Sequence, residues 1–98
     1  MVITMNEIKL SDVYEALLLG REIEFKLNEN DYFLQPYYDD PHINDLNYPL
    51  KYVIYDCADK KNVSKVFIGT IDNVLKYNFL SKFSLINNFE KFTIEYIL

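Results

Sequence analysis

The sequence contains little glycine, proline or cysteine and no tryptophan. Its two glycines, Gly20 and Gly69, are too few to build a glycine-rich loop around a phosphate group. The single cysteine, Cys57, cannot form an internal disulfide, and no Cys/His spacing matches a zinc site. No GxSxG motif places a nucleophilic serine on a sharp turn. We therefore expect no catalytic residue, no metal ion and no cofactor, and the sequence predicts that the protein is not an enzyme.

Long hydrophobic segments are also missing. No apolar run approaches the roughly 18 residues that a membrane-spanning helix needs. The first residues, MVITMNEIKLSD, lack the basic and apolar regions of a signal peptide. Half of the 98 residues are hydrophobic and 26% are charged, which is typical of a globular chain long enough for one core. The sequence therefore predicts one domain, residues 1–98, in the cytoplasm and without membrane insertion.

Basic side chains are scarce in the first half of the chain. The net charge is −5, and residues 1–50 contain ten acidic side chains against only Lys9, Arg21 and Lys26. We expect these carboxylates to form one continuous acidic face. An acidic protein repels phosphate backbones, so we expect no direct binding of nucleic acid. The only candidate for a basic patch is small and consists of Lys60, Lys61 and Lys65.

The helical pattern is clearest near the N-terminus. The segment SDVYEALLLG predicts a short helix that begins with Ser11 as N-cap and ends at Gly20. Residues 5–10 extend this helix upstream if Thr4 and Glu7 form a capping box, and the pattern does not decide between the two starts. A second short helix is predicted in IDNVLKY, with Thr70 as its N-cap.

Alternating hydrophobicity predicts the strands. The segments REIEFKL and DYFLQ form a hairpin around residues 28–30, and Pro36 ends its pairing. KYVIYDC is apolar on both faces and predicts a covered central strand, and VSKVFIG predicts another. In the last strand, KFTIEYIL, the side chains of Phe92, Ile94, Tyr96 and Leu98 are expected on one face. The segment NFLSKFSLINNFE is either a single turn capped by Ser84 or partly an edge strand.

These elements define the predicted fold class. We expect an α+β domain with a mainly antiparallel sheet of about five strands, an N-terminal helix and one or two short helices.

The segment PYYDDPHINDLNYP, residues 36–49, contains all three prolines and the only histidine of the chain. We expect it to be a surface excursion between two strands, because long connections without secondary structure are often functional or mobile. Tyrosine combines an apolar ring with a polar tip and is enriched at interfaces. The expected binding residues are Tyr37, Tyr38, Asp39, Asp40, His42, Asp45 and Tyr48. A merely solvated loop is the alternative, and Tyr32, Tyr52 and Tyr55 are expected in or beside the core.

His42 and Cys57 are the residues with reactive side chains. His42 could act as a general base oriented by Asp39, Asp40 or Asp45, or it could bind a metal, but a histidine flanked by proline is usually an exposed polar residue. The neighbours of Cys57 include no basic group that would lower a thiol pKa, so we expect a small core residue.

The segments GREIEF, YVIYDC and FTIEYIL lie in a small acidic chain rich in Ile, Lys, Asn and Tyr. In size, charge and amino-acid composition the chain resembles small proteins encoded by phages and mobile elements of low-GC Gram-positive bacteria, including anti-CRISPR and other anti-defence inhibitors. This resemblance implies a non-enzymatic inhibitor that binds a basic surface on a host protein. Carboxylates beside aromatic rings could occupy a groove that normally holds nucleic acid.

Two other functions are compatible with the sequence. One is an oligomeric binder of a nucleotide signal, in which Lys60, Lys61 or Arg21 contacts phosphate. The other is a small phage regulatory protein.

Overall fold

A five-stranded antiparallel sheet is the centre of the computed structural model, which describes residues 8–57 and 63–98. The strands are β1 (Ile23–Leu27), β2 (Asn30–Pro36), β3 (Tyr52–Asp56), β4 (Ser64–Gly69) and β5 (Phe92–Ile97), in the spatial order β4-β3-β2-β1-β5. The helices are α1 (Leu10–Leu18), α2 (Ile71–Lys76) and a 3-10 helix at Phe89–Lys91. The predicted α+β class, with an N-terminal helix and an antiparallel sheet, is confirmed.

The core lies between the helices and one face of the sheet. Alternation along β1 turns Ile23, Phe25 and Leu27 inward, and all three are buried. The ring of Phe25 lies 5.6 Å from that of Phe79 and 5.7 Å from that of Phe92. The helices and the α2–β5 connection add Val13, Ala16, Leu17, Val74, Leu75 and Leu85 to this cluster. The aromatic rings thus join the sheet to the chain that follows α2.

The ends of the helices follow the predicted capping chemistry with one correction. Helix α1 starts at Leu10, where the Lys9 N–H donates to Oδ2 of Asp12 at 2.8 Å. The N-cap is therefore Lys9, and the prediction of Ser11 is wrong, because a carboxylate three residues ahead satisfies the end of the helix. Thr4 and Glu7 lie outside the described residues. No helix in the described ranges is long and apolar enough to cross a membrane.

The remaining helix signals are confirmed. Gly20, with φ +73°, follows the last turn of α1, and its N–H donates to the Leu17 carbonyl at 3.0 Å. Thr70 is the N-cap of α2, and its hydroxyl accepts from the Asn73 N–H at 3.3 Å. Ser84 caps a single turn through the Asn87 N–H at 3.2 Å, which decides between the two predictions for that segment.

Both edge strands contain an extra residue. On β5, Ile94 faces Phe25 and Tyr96 faces Glu24, so Glu95 has no partner on β1. A similar register shift leaves Val66 unpaired on β4. Because the bulge resets the alternation, Ile97 packs against the core while Tyr96 and Leu98 are exposed. The predicted common face of Phe92, Ile94, Tyr96 and Leu98 is therefore wrong beyond Ile94.

Strand β2, and not β3, occupies the centre of the sheet. The described helices pack on one face of the sheet, and the other face, which no described helix covers, is called the open face below. Val53 points to the open face and still has an exposed fraction of 0%, so β3 is covered on both sides at this residue, as expected. Pro36, opposite Tyr52, is the last paired residue of β2, as predicted.

Candidate functional site

The expected excursion between β2 and β3 is present, and its residues 37–49 are called the β2–β3 loop below. Beyond the last strand pair, the Tyr37 N–H donates to the Lys51 carbonyl at 2.9 Å. The Nζ of Lys65 on β4 lies 5.4 Å from the centre of the Tyr37 ring. Tyr37 is half-buried. This tyrosine therefore anchors the base of the loop to the sheet.

The backbone of the loop is a series of short turns. Four hydrogen bonds join an N–H to the carbonyl three residues earlier: Asp40 to Tyr37 (3.3 Å), Ile43 to Asp40 (3.1 Å), Asp45 to His42 (2.9 Å) and Tyr48 to Asp45 (3.1 Å). Aspartate and proline are frequent in such turns, because aspartate bonds to nearby N–H groups and proline fixes φ. The conformation of the loop thus has a local cause in its sequence.

His42 connects the two halves of this loop. Its backbone N–H donates to Oδ1 of Asp40 at 2.9 Å, and its Nδ1 lies 3.0 Å from Oδ2 of Asp45. Its ring stacks on Tyr48 with centroids 4.2 Å apart and an angle of 17° between the planes. Four of the seven predicted binding residues are therefore joined in one cluster, in which the histidine holds the others in place.

The His42–Asp45 pair also bears on the general-base alternative. Of the three aspartates considered for orienting the ring, Asp45 is the one in contact with Nδ1. Both side chains are about half exposed, at 47% and 61%. This exposure differs from the enclosed pocket in which a base is usually tuned and a substrate held.

Three side chains of the loop expose apolar surface to solvent. Their exposed fractions are 55% for Tyr38, 101% for Leu46 and 47% for Tyr48. Asp39 and Asp45 are exposed beside them, and the loop contains no lysine or arginine. Leu46 was not among the predicted binding residues. One feature of the sequence could have identified Leu46 as a contact residue. It is a leucine in a polar segment flanked by prolines, where neither helical nor strand periodicity accounts for an apolar side chain.

The expected continuous acidic face is wrong. Asp12 bonds at the start of α1, Glu24 and Asp31 lie on the open face of the sheet, and Glu29 occupies the β1–β2 turn. That turn is at the opposite end of β2 from the β2–β3 loop. The alternation and the hairpin of β1 and β2 separate side chains that are close in sequence. The acidic group of the loop is therefore limited to Asp39, Asp40 and Asp45.

A second carboxyl cluster lies on the open face of the sheet. Asp31 Oδ1 and Glu95 Oε1 are inaccessible to solvent and have no hydrogen-bond partner among the described residues, although Lys26 Nζ lies 3.7 Å from Asp31 Oδ1. Burial and then Asp31 raise the pKa of Glu95, while Lys26 opposes the increase. Within the described ranges, no three His, Cys, Asp or Glu residues are grouped to hold a metal ion. This cluster thus favours a retained proton on Glu95.

Cys57 lies near Asp31 of this cluster, and its N–H donates to the Asp31 carbonyl at 2.8 Å. Burial raises the pKa of its thiol, and Glu24, Asp56 and Asp31 raise it further. The thiol is therefore less reactive than a free one, as the sequence predicted. Its expected position in the core is wrong, because Cys57 is only half-buried at the end of β3.

Tyr32 and Tyr52 belong to the core, and Tyr55 lies beside it, as expected. Tyr32 and Tyr52 are buried, and Tyr55 is half-buried. The Tyr52 hydroxyl donates to the Leu17 carbonyl at 2.6 Å and so connects β3 to the last turn of α1. Tyr32 and Tyr52 therefore contribute to stability, whereas Tyr38 and Tyr48 of the loop are exposed.

A comparison with protein-family models, with curated proteins and with solved structures finds no match to this chain. Its function is therefore inferred from its own residues.

Proposed function

We propose that the chain is a non-enzymatic protein-binding inhibitor whose contact surface is the β2–β3 loop. The observation that supports this most is that Tyr38 and Leu46 are exposed on a loop whose own residues hold its conformation. A preorganised loop loses little conformational freedom when a partner binds. Exposed aromatic and aliphatic side chains supply the buried centre that gives an interface most of its binding energy.

The partner that fits this loop has an apolar groove with a basic rim. Asp39, Asp40 and Asp45 give the loop three carboxylates, and the loop has no lysine or arginine of its own. Opposite charge on a partner accelerates encounter and excludes partners of like charge. Since Glu24, Glu29 and Asp31 lie elsewhere, steering of the partner is assigned to the loop and not to the whole N-terminal half.

A nucleic-acid-binding site on a host protein is a surface of this kind. Such sites combine positive charge for phosphates with apolar or aromatic surface for bases. The loop complements both features, because its carboxylates resemble phosphates in charge and the rings of Tyr38 and Tyr48 resemble bases. Together with the resemblance to anti-defence proteins of mobile elements, this supports an inhibitor of the anti-CRISPR type, acting in the cytoplasm of a bacterial host.

The first experiment identifies the partner and then measures its binding. The tagged full-length chain is incubated with lysate of a low-GC Gram-positive bacterium, and a captured protein present in stoichiometric amount is purified. Its association rate should fall roughly tenfold between about 50 and 300 mM salt. An association rate that does not change with salt would contradict the charge-steering argument.

A matched pair of variants tests the position of the interface. Leu46→Ala should weaken binding of the purified partner by about tenfold or more, as expected for an apolar contact near the centre of an interface. Leu80→Ala removes a leucine that is also exposed, at 54%, but lies outside the loop. That control should bind like the wild type. Equal affinity of the wild type and Leu46→Ala would exclude Leu46 as a contact.

Competition with nucleic acid tests the inhibitory mode. Excess DNA or RNA that the partner binds should displace the chain, because both would occupy the same basic groove. Simultaneous binding of the chain and the nucleic acid would contradict the proposed mimicry.

A further inference from the structure

A cleft of about 570 Å³ lies between β4 and the end of α2. Its lining residues are Phe67, Asn73, Lys76, Tyr77, Asn78 and Ser81. None of them belongs to the β2–β3 loop, so this cleft is separate from the proposed protein-binding surface. Its volume is within the range of small-molecule sites, roughly 300–1,000 Å³.

One wall of the cleft is aromatic. The rings of Phe67 and Tyr77 are stacked, with centroids 4.9 Å apart and an angle of 30° between the planes. Tyr77 in turn packs edge-to-face on the buried Phe79, again with a centroid distance of 4.9 Å. Phe67 and Tyr77 are both half-buried, so each keeps part of its surface exposed. The core therefore holds a rigid aromatic surface at the cleft.

The polar side of the cleft contains hydrogen-bond donors and one cation. Oδ1 of Asn73 accepts from the Thr70 N–H at 3.2 Å, which leaves the amide NH₂ group of Asn73 available to donate. Lys76 has no carboxylate within salt-bridge distance among the described residues. None of the described aspartates and glutamates lines the cleft, although the chain as a whole has a net charge of −5. The local charge thus favours an anion.

The close approach of β4 and α2 depends on Gly69. A Cβ atom at this position would lie 2.7 Å from Cβ of Asn73 and 2.9 Å from Cε2 of Phe67. Only glycine lets these two lining residues take their present positions without a shift. The residue that joins the strand to the helix therefore shapes the cleft.

The far side of the cleft is a turn with an unusual backbone. Leu80 and Ser81 have φ values of +55° and +57°, and neither is glycine. A left-handed conformation at two successive non-glycine residues is strained and is often found at functional sites. The Ser81 N–H donates to the Asn78 carbonyl at 3.3 Å, and both residues line the cleft.

We infer that this cleft binds a mononucleotide, with its base against the aromatic wall and its phosphate at Lys76. Stacking on aromatic rings accepts any base, and lysine binds phosphate as a point charge. Asn73, Asn78 and Ser81 supply the neutral hydrogen bonds that orient the ligand. The phosphate contact is thus assigned to Lys76 and not to Arg21, Lys60 or Lys61, the residues that the sequence suggested for it. Arg21 does not line the cleft, and the two lysines lie outside the described residues.

Isothermal titration of the full chain with adenosine 5′-monophosphate tests the inference. We expect a Kd of about 0.1–1 mM, as for an open site with one cation. Adenosine and inorganic phosphate should each bind at least about fivefold more weakly, because each lacks one half of the recognised chemistry. Inorganic phosphate binding as tightly as the nucleotide would overturn the role of the aromatic wall.

Two lysine variants supply the matched comparison. Lys76→Ala should weaken binding of the nucleotide by about fivefold or more, the loss expected for one charged phosphate contact. Lys82→Ala should not change it, because Lys82 is exposed and lies over Phe83 outside the cleft lining. Both lysines are on the surface, so both variants should fold. Equal affinity of the wild type and Lys76→Ala, or no saturable binding up to about 10 mM nucleotide, would overturn the inference.

Discussion

Tyr52 shows how a single side chain joins the two layers of this domain. Its hydroxyl donates to the Leu17 carbonyl, and both residues are buried. The carbonyl belongs to the last turn of α1, where helix carbonyls lack partners within the helix. The sequence predicted a tyrosine in or beside the core, but not its acceptor, because the two residues are 35 positions apart. Long-range bonds of this kind depend on the packing of the whole domain.

The first prediction concerns this hydrogen bond. Tyr52→Phe should lower the free energy of unfolding by about 0.5–1.5 kcal/mol, because the buried Leu17 carbonyl loses the Tyr52 hydroxyl as a donor and keeps only the Gly20 N–H. Urea denaturation at neutral pH measures the change. Tyr55→Phe removes a hydroxyl from the half-buried neighbour on the open face and should cost less. Equal losses in the two variants would contradict a special role for the Tyr52 bond.

The second prediction concerns Glu95. Its pKa is raised by burial and by Asp31, so the folded state binds this proton more tightly than the unfolded state does. Stability from this group is therefore present at acidic pH and is lost as the pH rises from the ordinary glutamate pKa of 4.5 through the raised value. Glu95→Gln should remove that part of the pH dependence and raise the melting temperature modestly at neutral pH.

Melting temperatures between about pH 4 and 8 provide the measurement, since this range brackets the expected titration. Glu90→Gln is the control, because Glu90 is exposed in the 3-10 helix. It should keep the slope of the wild type. A Glu95→Gln protein with an unchanged slope would show that another group titrates.

At the scale of elements, most of the fold follows from periodicity and capping chemistry. The alternation in IEFKL predicted β1, and the pattern around Thr70 predicted the start of α2. The bulge at Glu95 could not be predicted, because both registers of this strand turn apolar side chains inward. Without the bulge the third inward residue after Phe92 and Ile94 would be Tyr96, and with it that residue is Ile97. The pairing of β5 with β1 could not be predicted either, because the two strands are far apart in the sequence and no local pattern connects them.

The third prediction belongs to the junction of β4 and α2. Gly69→Ala should lower the free energy of unfolding by about 1–3 kcal/mol, because the new Cβ would overlap Asn73 and Phe67. Gly20 offers the contrast, since nothing lies within 4 Å of its hypothetical Cβ. Its positive φ suits asparagine, so Gly20→Asn should cost less than Gly69→Ala in the same urea experiment. The opposite order would mean that crowding at Gly69 is relieved without cost.

At the scale of the whole molecule, the candidate site was predicted in part. The prolines, tyrosines and aspartates of residues 36–49 identified the loop, and the structure groups Asp40, His42, Asp45 and Tyr48 within it. The prediction of a continuous acidic face was wrong, because acidic residues that are close in the sequence do not have to lie on the same surface of the folded chain. Once β1 and β2 alternate and turn back, their carboxylates lie on the open face and at the far end of the sheet.

Hydrogen exchange of the full chain with and without its purified partner tests the central claim most directly. Amides of the β2–β3 loop should exchange more slowly in the complex, while those of the β1–β2 turn at residues 28–30 should not change, because this turn is at the opposite end of β2. Protection confined to the open face of the sheet or to the α2 cleft, with unchanged exchange in the loop, would contradict the account.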